Sequence, residues 1–238
     1  MNHSLGFFVT GTDTEVGKTL VSGALILKLR EQGKKVIGFK PVVAGTYLGG
    51  NGQLLNEDLE TLRIASNLDQ DELSLCPYIL DTPAAPNIVA KSENIELEVP
   101  TMIRAYNNIK EISDFVVVEG AGGFLVPLNE KENLSDFAQQ IDLPVVLVVG
   151  MKLGCLNHAL LTIESLKSRN LRIAGWVANT LSQQMPLLNE NIQTLQSRLS
   201  TPFLGLIPQL PADLTKTDHN PYSLEALKFA AQHIQLPK

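Results

Sequence analysis

The chain has 238 residues, enough to bury one full α/β core, and its 44% hydrophobic and 18% charged residues suit a globular domain. A formal net charge of −6 argues against a general nucleic-acid binder, which needs a basic face. Anionic substrates remain open to it, because a few local lysines can hold a phosphate inside an acidic protein.

Cys76 and Cys155 are too few and too far apart for a disulfide framework or a zinc cluster, and they point to a reducing cytoplasm. Residues 1–4 carry no basic region ahead of the short apolar run that follows, so no signal peptide is expected. No apolar stretch is long enough to span a bilayer, so no membrane partner is expected either.

The first apolar run, residues 5–9, predicts a buried strand, and a helical pattern covers residues 20–30. Between them lies Gly11-Thr12-Asp13-Thr14-Glu15-Val16-Gly17-Lys18-Thr19. A strand, a tight loop and a helix start in that order make a phosphate site, because the first amides of a helix have no internal acceptor. Lys18 adds a mobile positive charge over the terminal phosphates, and the Thr19 hydroxyl is placed to bind Mg²⁺. The loop is one residue longer than the common form, with Thr12 at the usual first-glycine position. The motif predicts a nucleoside triphosphate and leaves the reaction open.

Further apolar runs at residues 36–39, 115–118, 145–149 and 173–177 predict inner parallel strands, which need not alternate polar and apolar residues. Helical patterns lie at about 100–112, 134–141, 157–169 and 187–199, with a closing helix at 222–234 and Gly33 ending the first. Strands alternating with helices predict one doubly wound α/β domain over 1–238, with a mostly parallel sheet. Residues 43–90 interrupt the order, with a short helix near 57–65, and read as an insertion draped over the ligand edge of the sheet.

Several polar residues stand at the ends of these strands. Lys40, before Pro41, either neutralises a carboxylate, carbamate or transferring phosphate, or is a solvated strand-end lysine. Asp58 opens the short helix, where it reaches a metal or simply favours the helix N-terminus. Glu119 directly follows an apolar strand, and a buried carboxylate needs a cation, hydrogen bonds or a metal. Gly120, Ala121, Gly122 and Gly123 follow it and let backbone amides approach a substrate. Asn157 is placed to cap the helix after Gly154, where local amides suit an anion, while Cys155 reads as a packed residue rather than a nucleophile. Trp176 reads as core. Asn179 matches a purine edge or a turn, and Pro208, Gln209 and Leu210 form a wall near a base or a plain turn.

Taken with Lys40-Pro41-Val42, Val118-Glu119-Gly120-Ala121-Gly122-Gly123, the stretch from Val149 to Ala159, and Gly175-Trp176-Val177-Ala178-Asn179, the loop resembles the dethiobiotin synthase family. That family belongs to the P-loop group with the ParA/MinD-like ATPases. The resemblance implies a cytosolic homodimer that uses ATP, Mg²⁺, CO₂ and 7,8-diaminononanoate, and makes dethiobiotin, ADP and phosphate. It assigns Glu15, Val16, Gly17, Lys18, Thr19 and Leu20 to the phosphates, and Thr19, Asp58 and Glu119 to Mg²⁺. Gly120, Ala121 and Gly122 join them around the nucleotide, and Asn179, Thr180, Pro208, Gln209 and Leu210 take the base side. Lys18 and Lys40 become catalytic charges. Thr12, Lys40, Thr46 and Gly122 face the diamine, whose remote carboxylate meets Gly154, Cys155 and Asn157 of the opposing subunit.

One departure stands out. Where the family often has a serine near the diamine, this chain has Ala44, and Thr46 or a bridging water is the available substitute. A related amidating enzyme and a ParA/MinD-like switch are the rival readings. The first needs a glutamine-hydrolysing domain for which the chain has no room. The second usually carries an extra early lysine in the loop, which is missing.

Overall fold

The computed structural model describes residues 5–50, 52–69, 74–180, 185–217 and 219–237. The signal-peptide expectation at residues 1–4 therefore lies outside the described residues. In chain order, β1 (Gly6–Gly11) leads through the glycine loop into α1 (Lys18–Arg30), and β2 (Val36–Phe39) follows. Next come β3 (Val43–Ala44), β4 (Tyr47–Leu48), β5 (Leu54–Leu55), α2 (Glu57–Ser66), β6 (Ile79–Leu80) and α3 (Pro86–Ser92). The alternation then resumes with α4 (Val99–Glu111), β7 (Phe115–Glu119), α5 (Leu134–Ile141), β8 (Val145–Met151) and α6 (Cys155–Ser168). It ends with β9 (Ile173–Thr180), α7 (Leu188–Arg198), β10 (Phe203–Ile207) and α8 (Leu224–Gln232).

Six strands form one sheet in the order β10–β9–β8–β1–β7–β2, and every pairing in it is parallel. β1, β7 and β8 are buried along their whole length, which explains their unbroken apolar sequence. The chain leaves β1 for β2 on one side and later crosses from β7 to β8 on the other. This reversal opens a crevice at the C-terminal end of β1, where doubly wound sheets take ligands. The phosphate loop, Lys40 and Glu119 all stand on that edge.

Helix α1 packs against β1, β2 and β7 and also touches α2 and α8, while α4 and α5 pack together beside β2 and β7. Phe39, Tyr106 and Phe137 join β2, α4 and α5 through ring contacts at 6.1, 6.3 and 6.5 Å. Trp176 is fully buried against Phe203, as a core residue should be.

One expectation needs correction, and two features go beyond the sequence reading. Helix α1 begins at Lys18 rather than Leu20, so Lys18 and Thr19 lie in its first turn. Strand β10 was not read from the sequence. It is an edge strand, only partly buried, and Gly205 interrupts its short apolar run. Residues 43–90 also do more than drape over the sheet. Helix α2 packs on α1 and β2, and the edge of β2 is sealed by Gly38 N–H donating to Ser66 Oγ and Lys40 N–H to Leu75 O, both at 2.9 Å.

No helix of the described residues is long and apolar enough to cross a membrane.

Candidate active site

The phosphate loop turns on two left-handed residues, Glu15 at φ 58° and Gly17 at φ 89°. Gly17 caps α1 without a side chain. Among the described residues no acceptor takes the amides of Gly17, Lys18 or Thr19, so three donors face the crevice. The Asn179 side-chain amide donates to Val16 O at 2.9 Å and holds the loop from below. A Cβ on Gly17 would collide with that amide. Thr12 N–H is tied to Val148 O at 3.0 Å, which anchors the start of the loop to β8.

Lys18 is buried and its ammonium donates to Asp13 O at 3.1 Å. Burial first, and then the nearby Lys40 charge, pull Lys18 down to about 8. Asp13 in turn forms an ion pair with Lys152 at 2.7 Å, and that bond holds its carboxyl below the usual range.

Beyond the loop, four side chains from four separate segments converge. Lys40 Nζ lies 2.6 Å from Glu119 Oε1 and 2.9 Å from Asp58 Oδ2. Thr19 Oγ1 lies 2.7 Å from Asp58 Oδ1 and 2.8 Å from Glu119 Oε1. A single hydroxyl proton can serve only one of those two carboxylates at a time. Glu119 is fully buried, and its Oε2 has no hydrogen-bond partner among the described residues. Burial therefore pushes Glu119 up, against the pull of Lys40. Desolvation also opposes charge on Lys40 and Asp58, but there the ion pair wins. Lys40 is held above the ordinary lysine range, and Asp58 is lowered to about 2.

This cluster fits a cation. Two carboxylates and one hydroxyl surround a common point, and the Lys40 ammonium stands in there as the positive charge. The orphaned Glu119 Oε2 marks unused acceptor capacity. Such a sparse set of protein oxygens suits Mg²⁺, which keeps waters and phosphate oxygens as its other ligands.

Asn56 explains why Asp58 points inward. Its Oδ1 caps α2 by accepting from Asp58 N–H and Leu59 N–H, and its Nδ2 donates to Gly45 O at 2.7 Å. Gly120 N–H donates to Val9 O at 2.9 Å, so the glycine stretch leaves β7 alongside β1. Gly122, with φ 59°, and Ala121 follow it, and Thr10 Oγ1 donates to Gly123 O at 3.4 Å.

The remaining candidates stand apart. Ile207 pairs in register with Asn179, so Pro208, Gln209 and Leu210 leave β10 beside that asparagine. Thr180 Oγ1 is buried without a partner among the described residues, next to a cavity of about 340 Å³ lined by Met185, Pro186 and Leu188. The Thr46 hydroxyl donates to Asp81 Oδ1 at 3.2 Å. Gly154, Cys155 and Asn157 sit at the start of α6 and make no hydrogen bond or ion pair with Lys40, Asp58 or Glu119. Gly154, not Asn157, caps that helix, since its φ of 95° supplies the entry turn and leaves Asn157 exposed inside the first turn. Cys155 is buried and burial raises its thiol, as fits a packed residue. Its N–H is already given to Lys152 O at 3.0 Å.

Sequence reasoning missed Lys152, Glu57, Lys216 and Tyr222. Lys152 stands just past the end of β8, the same strand-end signal that pointed to Lys40. The pair of Lys216 with Glu57 at 2.6 Å joins segments too distant in sequence for any spacing rule.

A family described as an AAA domain matches residues 5–217. The ATP-dependent dethiobiotin synthetase BioD of Ralstonia nicotianae is 46% identical over 204 residues, covering 86% of this chain and 89% of its own length. The protein of the same name from Aromatoleum aromaticum is 43% identical, covering 88% and 93%. Among solved structures, the MinC:MinD cell division complex of Aquifex aeolicus superposes with a TM-score of 0.56 at 16% identity, over 96% of this chain and 94% of that one. The septum site-determining protein MinD of Pyrococcus horikoshii, complexed with Mg-ADP, gives 0.54 at 19% identity, over 87% and 83%. Those structural likenesses fix the P-loop NTPase fold, whereas identity above 40% along most of both chains goes further: the chain belongs to the family of ATP-dependent dethiobiotin synthetases.

Proposed function

We propose that this chain converts 7,8-diaminononanoate, CO₂ and ATP into dethiobiotin, ADP and phosphate, a step of biotin biosynthesis. The observation that carries the proposal is the meeting of Thr19, Lys40, Asp58 and Glu119 at the mouth of the phosphate loop. It occurs in a chain whose relatives are named for that synthesis.

In this reading the free amides from Gly17 to Thr19 hold the phosphates of ATP, and Lys18 turns from Asp13 O toward them. Thr19, Asp58 and Glu119 would hold Mg²⁺. When bound, that cation neutralises charge on the phosphate oxygens. One amine of the diamine takes up CO₂ and loses a proton to form a carbamate. A carbamate oxygen attacks the γ-phosphorus and ADP leaves; the second amine then attacks the carbamoyl carbon and phosphate leaves. No protein nucleophile is needed, because the attacking oxygen and nitrogen belong to the substrate.

Lys40, displaced from the carboxylates as Mg²⁺ takes its place, would supply positive charge where negative charge spreads during transfer. The glycine stretch after Glu119 brings backbone close to the reacting groups, and holding both amines beside one carbon favours ring closure. Ala44 has no hydroxyl for the diamine, and Thr46 is engaged with Asp81, which leaves water as the simplest substitute.

On the base side, Asn179 Oδ1 has no hydrogen bond among the described residues and would accept from adenine while its amide holds Val16. The separation of Gly154, Cys155 and Asn157 from the cluster suits a homodimer in which they serve the opposing subunit. Leu153 (96% exposed) beside them, with exposed Leu125 and Leu161, suits burial against a second copy in the cytoplasm. The test is to incubate purified protein with ATP, Mg²⁺, bicarbonate and 7,8-diaminononanoate, then look for dethiobiotin by mass spectrometry. ATP turnover that ignores the diamine and yields no cyclic urea would overturn the proposal.

A further inference from the structure

The segment between β10 and α8 starts at the base-side residues Pro208 to Leu210 and reaches the helix that carries Asp58. Lys216 Nζ lies 2.6 Å from Glu57 Oε1, and its ammonium sits 5.3 Å from the centre of the Tyr222 ring. Both partners of the ion pair are largely shielded, at 26% and 33% exposure. Tyr222 N–H donates to Thr61 Oγ1 at 3.0 Å, and the same hydroxyl donates to Glu57 O at 2.8 Å. His219 adds a ring contact with Tyr47 at 5.8 Å. The clasp thus grips α2 at its first turn, one residue before Asp58.

The grip is not needed to form the helix. Asn56 already caps α2, and Glu57, Asp58 and Glu60 complement its N-terminus. What Lys216 adds is a tie between the base side of the crevice and the first turn of α2. Tyr222 lies close enough to the acid cluster for the charges of Asp58, Glu57 and Glu119 to add to the burial that raises its phenol.

We infer that Lys216 is a positioning residue: by gripping Glu57 over the Tyr222 ring, it sets where Asp58 stands relative to Thr19 and Glu119, and so the affinity for nucleotide-bound Mg²⁺. The inference rests on the reading of Thr19, Asp58 and Glu119 as the Mg²⁺ set.

A field effect would look different. As a nearby cation, Lys216 repels Mg²⁺, so Lys216→Met would tighten metal binding while Glu57→Gln would weaken it. Positioning makes both changes weaken it. The experiment measures ADP binding by calorimetry, with Mg²⁺ and with EDTA, on the full chain. Loss of a direct outer-shell partner of a metal ligand typically costs about 10- to 100-fold in affinity. Lys216 acts one contact further out, through Glu57, so the low end of that range applies. Lys216→Met and Glu57→Gln are each expected to weaken Mg²⁺-dependent ADP binding about 10-fold. The double variant is expected to be no worse than either single one, and Lys216→Arg to recover most of the loss. Binding in EDTA is expected to stay within about 2-fold, since the amides and Lys18 hold phosphates alone. Tighter or unchanged Mg²⁺ binding in Lys216→Met, additive losses, or equal losses in EDTA would overturn the inference. Asp58→Asn separates the two layers: if it leaves the Mg²⁺ dependence intact, the metal set itself is wrong.

Discussion

Replacing Lys40 with Met removes an ammonium and keeps its stem. In the parent chain that ammonium lies 2.6 Å from Glu119 Oε1, and Glu119 has no exposure to solvent. Breaking a buried ion pair from one side costs about 3–5 kcal/mol, because the surviving charge stays in a poor dielectric. In a chain of this size 1 kcal/mol moves Tm by about 2–4 °C, so the nucleotide-free variant should melt about 10 °C lower at pH 7.5. The pH profile adds a sign. Parent Asp58 is lowered from 3.8 to about 2, so its stabilisation is present above the higher value and fades as pH falls toward the lower. The variant loses that contribution. Its Glu119, raised by burial and no longer opposed by Lys40, favours the folded state most when protonated. Stability tied to a raised folded value is fully present below the unfolded value and lost as pH rises. The variant's Tm should therefore climb relative to the parent's as pH falls from 7.5 toward the ordinary carboxylate range near 4.5. Differential scanning calorimetry of both proteins checks this. A variant within about 2 °C of the parent at pH 7.5, with a parallel pH profile, would refute the buried pair.

Three other perturbations probe the phosphate loop, its lysine and the core. Gly17→Ala forces a side chain at φ 89° into the Asn179 amide, so ADP affinity should fall at least about 10-fold by calorimetry. Asn179→Ala opens that space but leaves Val16 O unpaired, so the double variant should lose less than the sum of the two. Lys18 sits at about 8, so at pH 8 roughly half of it is neutral until phosphates arrive. ADP binding there should take up about half a proton, read from calorimetry in buffers of different ionisation heat, and Lys18→Arg should abolish the uptake. Trp176 is the chain's one tryptophan, and its indole Nε1 is buried without a partner among the described residues. Trp176→Phe should therefore cost under about 1.5 kcal/mol, whereas Trp176→Ala should cost about 3–5 kcal/mol in urea unfolding.

What was legible in the sequence follows from where parallel strands end. β1, β2 and β7 are buried and unbroken, so their apolar runs stand out, and a charged residue directly after such a run must lie on the ligand edge. Glu119 and Lys40 were readable for that reason. The Asn179 position was readable as a strand end, but its grip on Val16 was not, since nothing local links β9 to the phosphate loop. Asp58 was ambiguous because a helix N-terminus welcomes a carboxylate whether or not a metal is near. Its meaning depends on Thr19 and Glu119 lying within 3 Å of it or of each other, which only the sheet order provides. β10 escaped notice because an edge strand is half-exposed and this one is broken by Gly205.

The Lys216 and Glu57 pair was the least legible feature of all. Each is an ordinary surface charge by sequence, and their meeting requires the α8 lead-in to fold across α2. Segments like this one tie the two ends of the crevice together through side chains rather than through the sheet. A site read only from strand ends will find the groups proposed to meet phosphate and cation there, such as Lys40 and Glu119. It will miss the contacts that hold those groups in register, because these are built from tertiary packing with no sequence period to betray them. For this chain the distinction has a physical edge: the chemistry sits on rigid strand ends, while Asp58 sits on a short helix whose place depends on Asn56 beneath and Lys216 beside it.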